Sequence, residues 1–144
     1  PPPSVRQAPL VCPGHNRGIV QLQHSAPTPE GTFLISACLD GAPMLRDAAT
    51  GDWIGTFEGH KGAVWSAALD SPAALAATGG ADFTARLFSA VSGDCLLTLP
   101  QNHICKVVAF SNSNGTPASH LLTAGLQKSA HIYDIASTPT SPDS

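Results

Sequence analysis

Apolar residues fall in short runs along this chain, and clusters of Gly, Pro, Asp, Asn and Ser separate them. Short β-branched or aliphatic runs bounded by turn-formers read as strands, since an amphipathic helix needs a longer 3.6-residue rhythm. The pattern predicts strands over 19–23, 32–37, 43–47 and 53–58, then 64–69, 75–78, 85–88 and 95–99, then 105–110, 120–124 and 130–133. Turn signals lie between them: Pro27-Thr28-Pro29-Glu30-Gly31, Asp40-Gly41 and Thr50-Gly51 in the first group. Pro43 lacks a ladder donor and so belongs at the first position of its strand.

The groups repeat. Gly14-His15 recurs as Gly59-His60 and, more weakly, as Asn102-His103, at intervals of 45 and 43 residues. SACLDGAPMLRD from Ser36, TGGADFTARLFS from Thr78 and TAGLQKSAHIYD from Thr123 keep the same rhythm, as do Thr50-Gly51 and Ser92-Gly93. A period near 43 with a Gly-His and a later Asp is that of the WD repeat, about 40–45 residues long and four strands per propeller blade. The expected fold is all-β: a partial propeller of three repeats, at about 7–47, 52–89 and 94–134, within a region 7–135. Segments 1–6 and 136–144 are expected to be disordered. In this register 8–12 is an outer strand without its own blade. Propellers close with about four to eight blades, so three repeats leave open faces, and a fragment or self-association to complete a ring is expected.

Charge and composition narrow the function. Only 12% of residues are charged, Gly and Pro each occur 13 times, and 7 basic against 10 acidic residues give a net charge of −3. The basic residues form no cluster in sequence, so direct nucleic-acid binding is not expected. No apolar run approaches the ~20 residues of a membrane-spanning helix. Cys12, Cys38, Cys95 and Cys105 form no CxxC pair and read as free thiols of an intracellular, soluble protein.

Candidate chemistry reduces to the repeat itself. His15, Ser36 and Asp40 have the residue types of a catalytic triad, but His60, Thr78 and Asp82 repeat the set one unit later. A catalytic centre would not recur once per blade, whereas a buried network that pairs polar groups would. The third set is expected to be His103 and Thr123, with Gln127 in place of the Asp. Arg46, Phe88 and Tyr133 stand where an indole N–H would complete each network. Trp53 and Trp65 read as packing residues. Cys12 and His15 lack a second ligand pair at metal-binding spacing, so neither metal nor cofactor is expected. Neither Glu58-Gly-His-Lys-Gly-Ala nor Gly79-Gly80 has the spacing of a phosphate or dinucleotide loop. An enzyme on a propeller scaffold would need convergent acids or metal ligands, and none is visible. At the rim, Arg17 and Lys61 follow the two Gly-His pairs at equivalent places and Leu39 precedes the turn Asp40. These three are the candidate protein-binding residues.

The phrases DGAPMLRDAATGDWIGTFEGHKGAVW from Asp40 and ADFTARLFSAVSGD from Ala81 are more particular than the general repeat. With QAPLVCPGH at the start and LLTAGLQKSAHIYD in the third unit, the chain resembles the serine-threonine kinase receptor-associated (Unr-interacting) family over about residues 7–135. The resemblance implies a scaffold that binds SMN–Gemin assemblies in spliceosomal particle formation and mRNA splicing, in cytoplasm and nucleus. In animals it also implies binding of transforming-growth-factor-β receptors and Smad proteins. The long turn at 29–31 and the insert SNSNGTPAS at 111–119 depart from that family and count more against the receptor role. GHKGAVW is also compatible with the i subunit of translation initiation factor three.

Overall fold

The computed structural model describes residues 8–111 and 114–136. The segments expected to be disordered lie outside these residues apart from Ala136. The described residues carry eleven strands and no helix: β1 Ile19–His24, β2 Phe33–Cys38, β3 Met44–Asp47, β4 Trp53–Thr56, β5 Val64–Leu69, β6 Leu75–Gly80, β7 Thr84–Ser89, β8 Cys95–Pro100, β9 Cys105–Phe110, β10 His120–Gly125 and β11 His131–Asp134. They form three antiparallel meanders ordered β1-β2-β3-β4, β5-β6-β7-β8 and β9-β10-β11. Each is one blade. β3 begins one residue after Pro43, whose carbonyl accepts the Phe57 amide at 2.9 Å. No strand forms at 8–12, contrary to expectation, because among the described residues no ladder partner reaches it.

Alternation of side chains along each strand decides how the blades stack. Ile35, Ala37, Leu45 and Phe57 of the first blade meet Val64, Ala67, Leu69, Ala76 and Phe88 of the second in one core. The second blade's other face gives Ala68, Leu75, Ala77, Ala85 and Leu87, which meet Cys105, Val108, Leu121 and Ile135 of the third. Phe88 is fully buried and lies 5.1 Å from Phe57, centroid to centroid. Burying a side chain of this size contributes about 1.5–3 kcal/mol.

β6 is buried at all six positions, and its sequence Leu-Ala-Ala-Thr-Gly-Gly is small for a reason. A Cβ on Gly79 would come within 2.8 Å of Cys105 Sγ in the next blade. Side chains of the innermost strands also tie blades together. Gln21 Oε1 accepts the Ala67 amide at 2.9 Å, Gln23 Oε1 accepts that of Leu69, and Ser66 Oγ accepts that of Val108 at 3.1 Å.

The third blade has the same alternation but one uncovered face. By register Leu122 and Ile132 correspond to Ile35 and Leu45, which are 0% and 5% exposed, yet they are 37% and 69% exposed. That face presents Val107, Leu122 and Ile132 to solvent. Trp53 is also exposed, so it is not the packing residue expected, and its indole N–H donates to Thr56 Oγ1 at 3.0 Å. Trp65 is half-buried beneath Lys106, whose Nζ lies 3.5 Å from a ring centroid.

Candidate functional site

β1, β5 and β9 all start from one rim, which also carries the β2–β3, β6–β7 and β10–β11 turns. In the first blade His15 Nδ1 is 2.8 Å from Asp40 Oδ2, and its Nε2 is 2.7 Å from Ser36 Oγ. In the second, His60 Nδ1 is 3.1 Å from both Asp82 oxygens, and Nε2 is 2.6 Å from Thr78 Oγ1. A carboxylate can only accept, so Nδ1 carries the proton and Nε2 accepts from the hydroxyl.

Burial opposes the charge on Asp82, but donation from the Thr84 hydroxyl, the Lys61 amide and His60 outweighs it and lowers its pKa. Asp40 is lowered in the same way, burial being overcome by the Ala42 amide and His15. Burial also disfavours the imidazolium of His60 more than Asp82 supports it, so its pKa falls below the ordinary histidine value. The second pair is thus neutral imidazole beside carboxylate. Gly80 makes room for it, since a Cβ there would stand 2.6 Å from His60 Nδ1 and 2.8 Å from Asp82 Oδ1.

The third blade differs from expectation. His103 is exposed and does not meet Thr123. Gln101 does: its Oε1 accepts from Thr123 Oγ1 at 3.1 Å and from Gln127 Nε2 at 3.0 Å, while its Nε2 donates to Tyr133 Oη at 3.0 Å. Gln127 Oε1 accepts the Asn102 amide at 3.1 Å. Gln101 stands four residues before β9, as His15 does before β1 and His60 before β5. Counting back from the strand finds it, whereas matching the letter H finds a residue two places too late. Tyr133 joins this network through its hydroxyl. Phe88 in the equivalent place is purely apolar. Arg46 is buried and donates to Gly51 O at 3.1 Å and to Pro13 O.

The Ser36–His15–Asp40 distances are those of a hydrolase triad, but the setting is not. Ser36 and Thr78 are 3% and 0% exposed. Four surface cavities, among them one of about 430 Å³ beside Gln23, Asp70 and Phe110, are lined by none of these network residues. Neither hydroxyl is presented to solvent or to those cavities. A metal fits no better. His15, Cys38 and Asp40 bring ligand-type atoms within 4.8 Å of one another, yet both ring nitrogens of His15 are already engaged. Burial raises the Cys38 thiol, and it donates to Arg17 O at 3.2 Å.

The rim residues expected to bind protein divide. Arg17 and Lys61 are exposed. Leu39 is half-buried, its amide donating to Gly18 O at 3.0 Å, so it offers less apolar surface than expected.

Three antiparallel meanders stacked face to face, with His–Asp pairs bridging rim loop and turn in the first two, define WD-type propeller blades. The family model described as "WD domain, G-beta repeat" matches residues 51–89. The chain is 54% identical over 97% of its length to the serine-threonine kinase receptor-associated protein of Gallus gallus, and 53% identical over 96% to that of Homo sapiens. It spans 39% of the length of each of these relatives. It is more distant, at 33% identity over 88% of its length, from eukaryotic translation initiation factor 3 subunit I of Scheffersomyces stipitis.

Proposed function

We propose that these blades are part of a protein-interaction scaffold, not an enzyme, acting in cytoplasm and nucleus with SMN–Gemin-type partners in spliceosomal particle assembly. The observation that carries this reading is the 53–54% identity to serine-threonine kinase receptor-associated proteins over nearly the whole chain. The name of those relatives makes receptor association a second role to test. The initiation-factor reading is weaker by some 20 percentage points of identity. Buried, fully bonded network groups support a framework role over catalysis.

Arg17 and Lys61 are the proposed rim contacts, being exposed and equivalently placed after the two Gly-His pairs. Reversing both, Arg17→Glu with Lys61→Glu in the full-length protein, is expected to weaken capture of Gemin-type partners from lysate without lowering the melting temperature. Undiminished capture would place the interface elsewhere.

A further inference from the structure

The two junctions between blades on the rim from which β1, β5 and β9 start use different residues at equivalent places. At the first junction, Gly41 in the β2–β3 turn lies against Gly62, close enough that a Cβ on Gly41 would stand 2.7 Å from Gly62 O. At the second, the equivalent residues are Phe83 and His103, whose rings stack with centroids 5.3 Å apart. Gly41 has φ +81°, which costs glycine little, but Phe83 holds φ +63° in the same turn. A bulky residue is strained in the left-handed region, which its Cβ disfavours. The fold gains little core in return, because Phe83 is 45% exposed.

Apolar surface continues from there. Leu126, 55% exposed, donates its amide to Ile104 O at 3.2 Å, one residue from His103. On the other side the Lys61 amide binds Asp82, the residue before Phe83.

Charge divides between the rims. Exposed Arg17, Lys61 and Lys128 lie on this rim, where Glu58 is the one exposed acid among the described residues and Asp40 and Asp82 are held in the networks. The opposite rim carries Glu30, Asp52, Asp94 and Asp134, all exposed, and no exposed Lys or Arg among the described residues.

We infer that Phe83, His103 and Leu126 form an apolar anchor site, flanked by Lys61 and Lys128, for a protein segment in which a large apolar side chain sits among acidic residues. The inference rests on the scaffold reading and assigns the partner's chemistry. Strain stored in an exposed aromatic is intelligible where that ring is covered by a ligand, and interface centres favour such apolar anchors ringed by charge. The basic rim selects acidic flanks and raises the association rate.

The test uses the full-length protein and an array of labelled dodecapeptides. Each has one Leu, Phe or Trp in a background of Asp, Glu and Ser, and a matched set replaces the acids by Asn and Gln. Binding of acidic, apolar-containing peptides, at least tenfold weaker for the amide set and for Phe83→Gly, is expected. Phe83→Gly restores the residue type of the first junction and relieves strain, so its melting temperature should not fall. Binding to no peptide, or equal binding by Phe83→Gly, overturns the inference. If Arg17→Glu with Lys61→Glu lowers partner capture but Phe83→Gly does not, the scaffold reading stands and the anchor site falls.

Discussion

The second and third blades show how one register accommodates two chemistries. The second is covered on both faces and locked by a neutral histidine against a carboxylate, with Gly80 clearing space for the pair. The third has one covered face and is locked by two glutamines and a tyrosine hydroxyl. What repeats is the position of each side chain and of its partners, not its identity or the direction of its bonds. A donor-acceptor side chain four residues before the innermost strand must meet the hydroxyl on the second strand and the polar turn residue four places later. Imidazole and carboxamide both span that gap.

The largest expected contrast is within β10. Leu121 is fully buried against the second blade, so Leu121→Ala should cost about 2–5 kcal/mol. Its neighbour Leu122 faces the uncovered side, and Leu122→Ala should cost well under about 1 kcal/mol in this chain. Denaturant midpoints measure both, and equal losses would mean that the two faces are not distinct.

Next in size is the network of the second blade. His60→Ala leaves Thr78 and Asp82 short of a partner and should cost about 1–3 kcal/mol. An unchanged thermal midpoint would remove His60 from the framework.

The smallest contrast is in pH. His60 has a folded pKa below its unfolded value, so the unfolded chain binds the proton first. Its contribution is present above about pH 6.5 and declines as pH falls through that value toward the folded pKa. Asp82 and Asp40, also lowered, contribute above the ordinary carboxylate range and lose that contribution as pH falls through their folded pKa values. Burial raises Asp70 against the pull of the Leu75, Ala118 and Ala74 amides, which gives the opposite slope: its contribution is lost as pH rises through its folded value. Melting curves from pH 7.5 to 5.5 should show a loss that His60→Gln abolishes, since the glutamine networks do not titrate there. A loss of equal size in His60→Gln would assign it to other groups.

Much of the architecture was legible in the letters. Strand runs, turn residues and the 43-residue rhythm point to three meanders because alternation and Gly-His spacing are local properties. The His15 and His60 sets were legible for the same reason, each being a fixed distance from its strand. The third set was misread because Asn102-His103 imitates Gly-His, while the residue at the structural distance is Gln101. The failed strand at 8–12 has another cause: a strand exists only where a ladder partner reaches it, and no local pattern encodes that. Phe83 was equally hidden. An aromatic near a strand reads as core, and only its positive φ and its exposure mark it as a rim residue.

The claim that position rather than identity defines the blade lock is tested most directly by Gln101→Ala beside His103→Ala, compared by equilibrium denaturation. Gln101→Ala should cost about 1–3 kcal/mol, since it strips partners from Thr123, Gln127 and Tyr133. Among the described residues, exposed His103 bonds only the neighbouring Ile104 amide and stacks on Phe83, so His103→Ala should stay within about 0.5 kcal/mol of the parent. The reverse order, with His103→Ala costly and Gln101→Ala silent, would contradict the account.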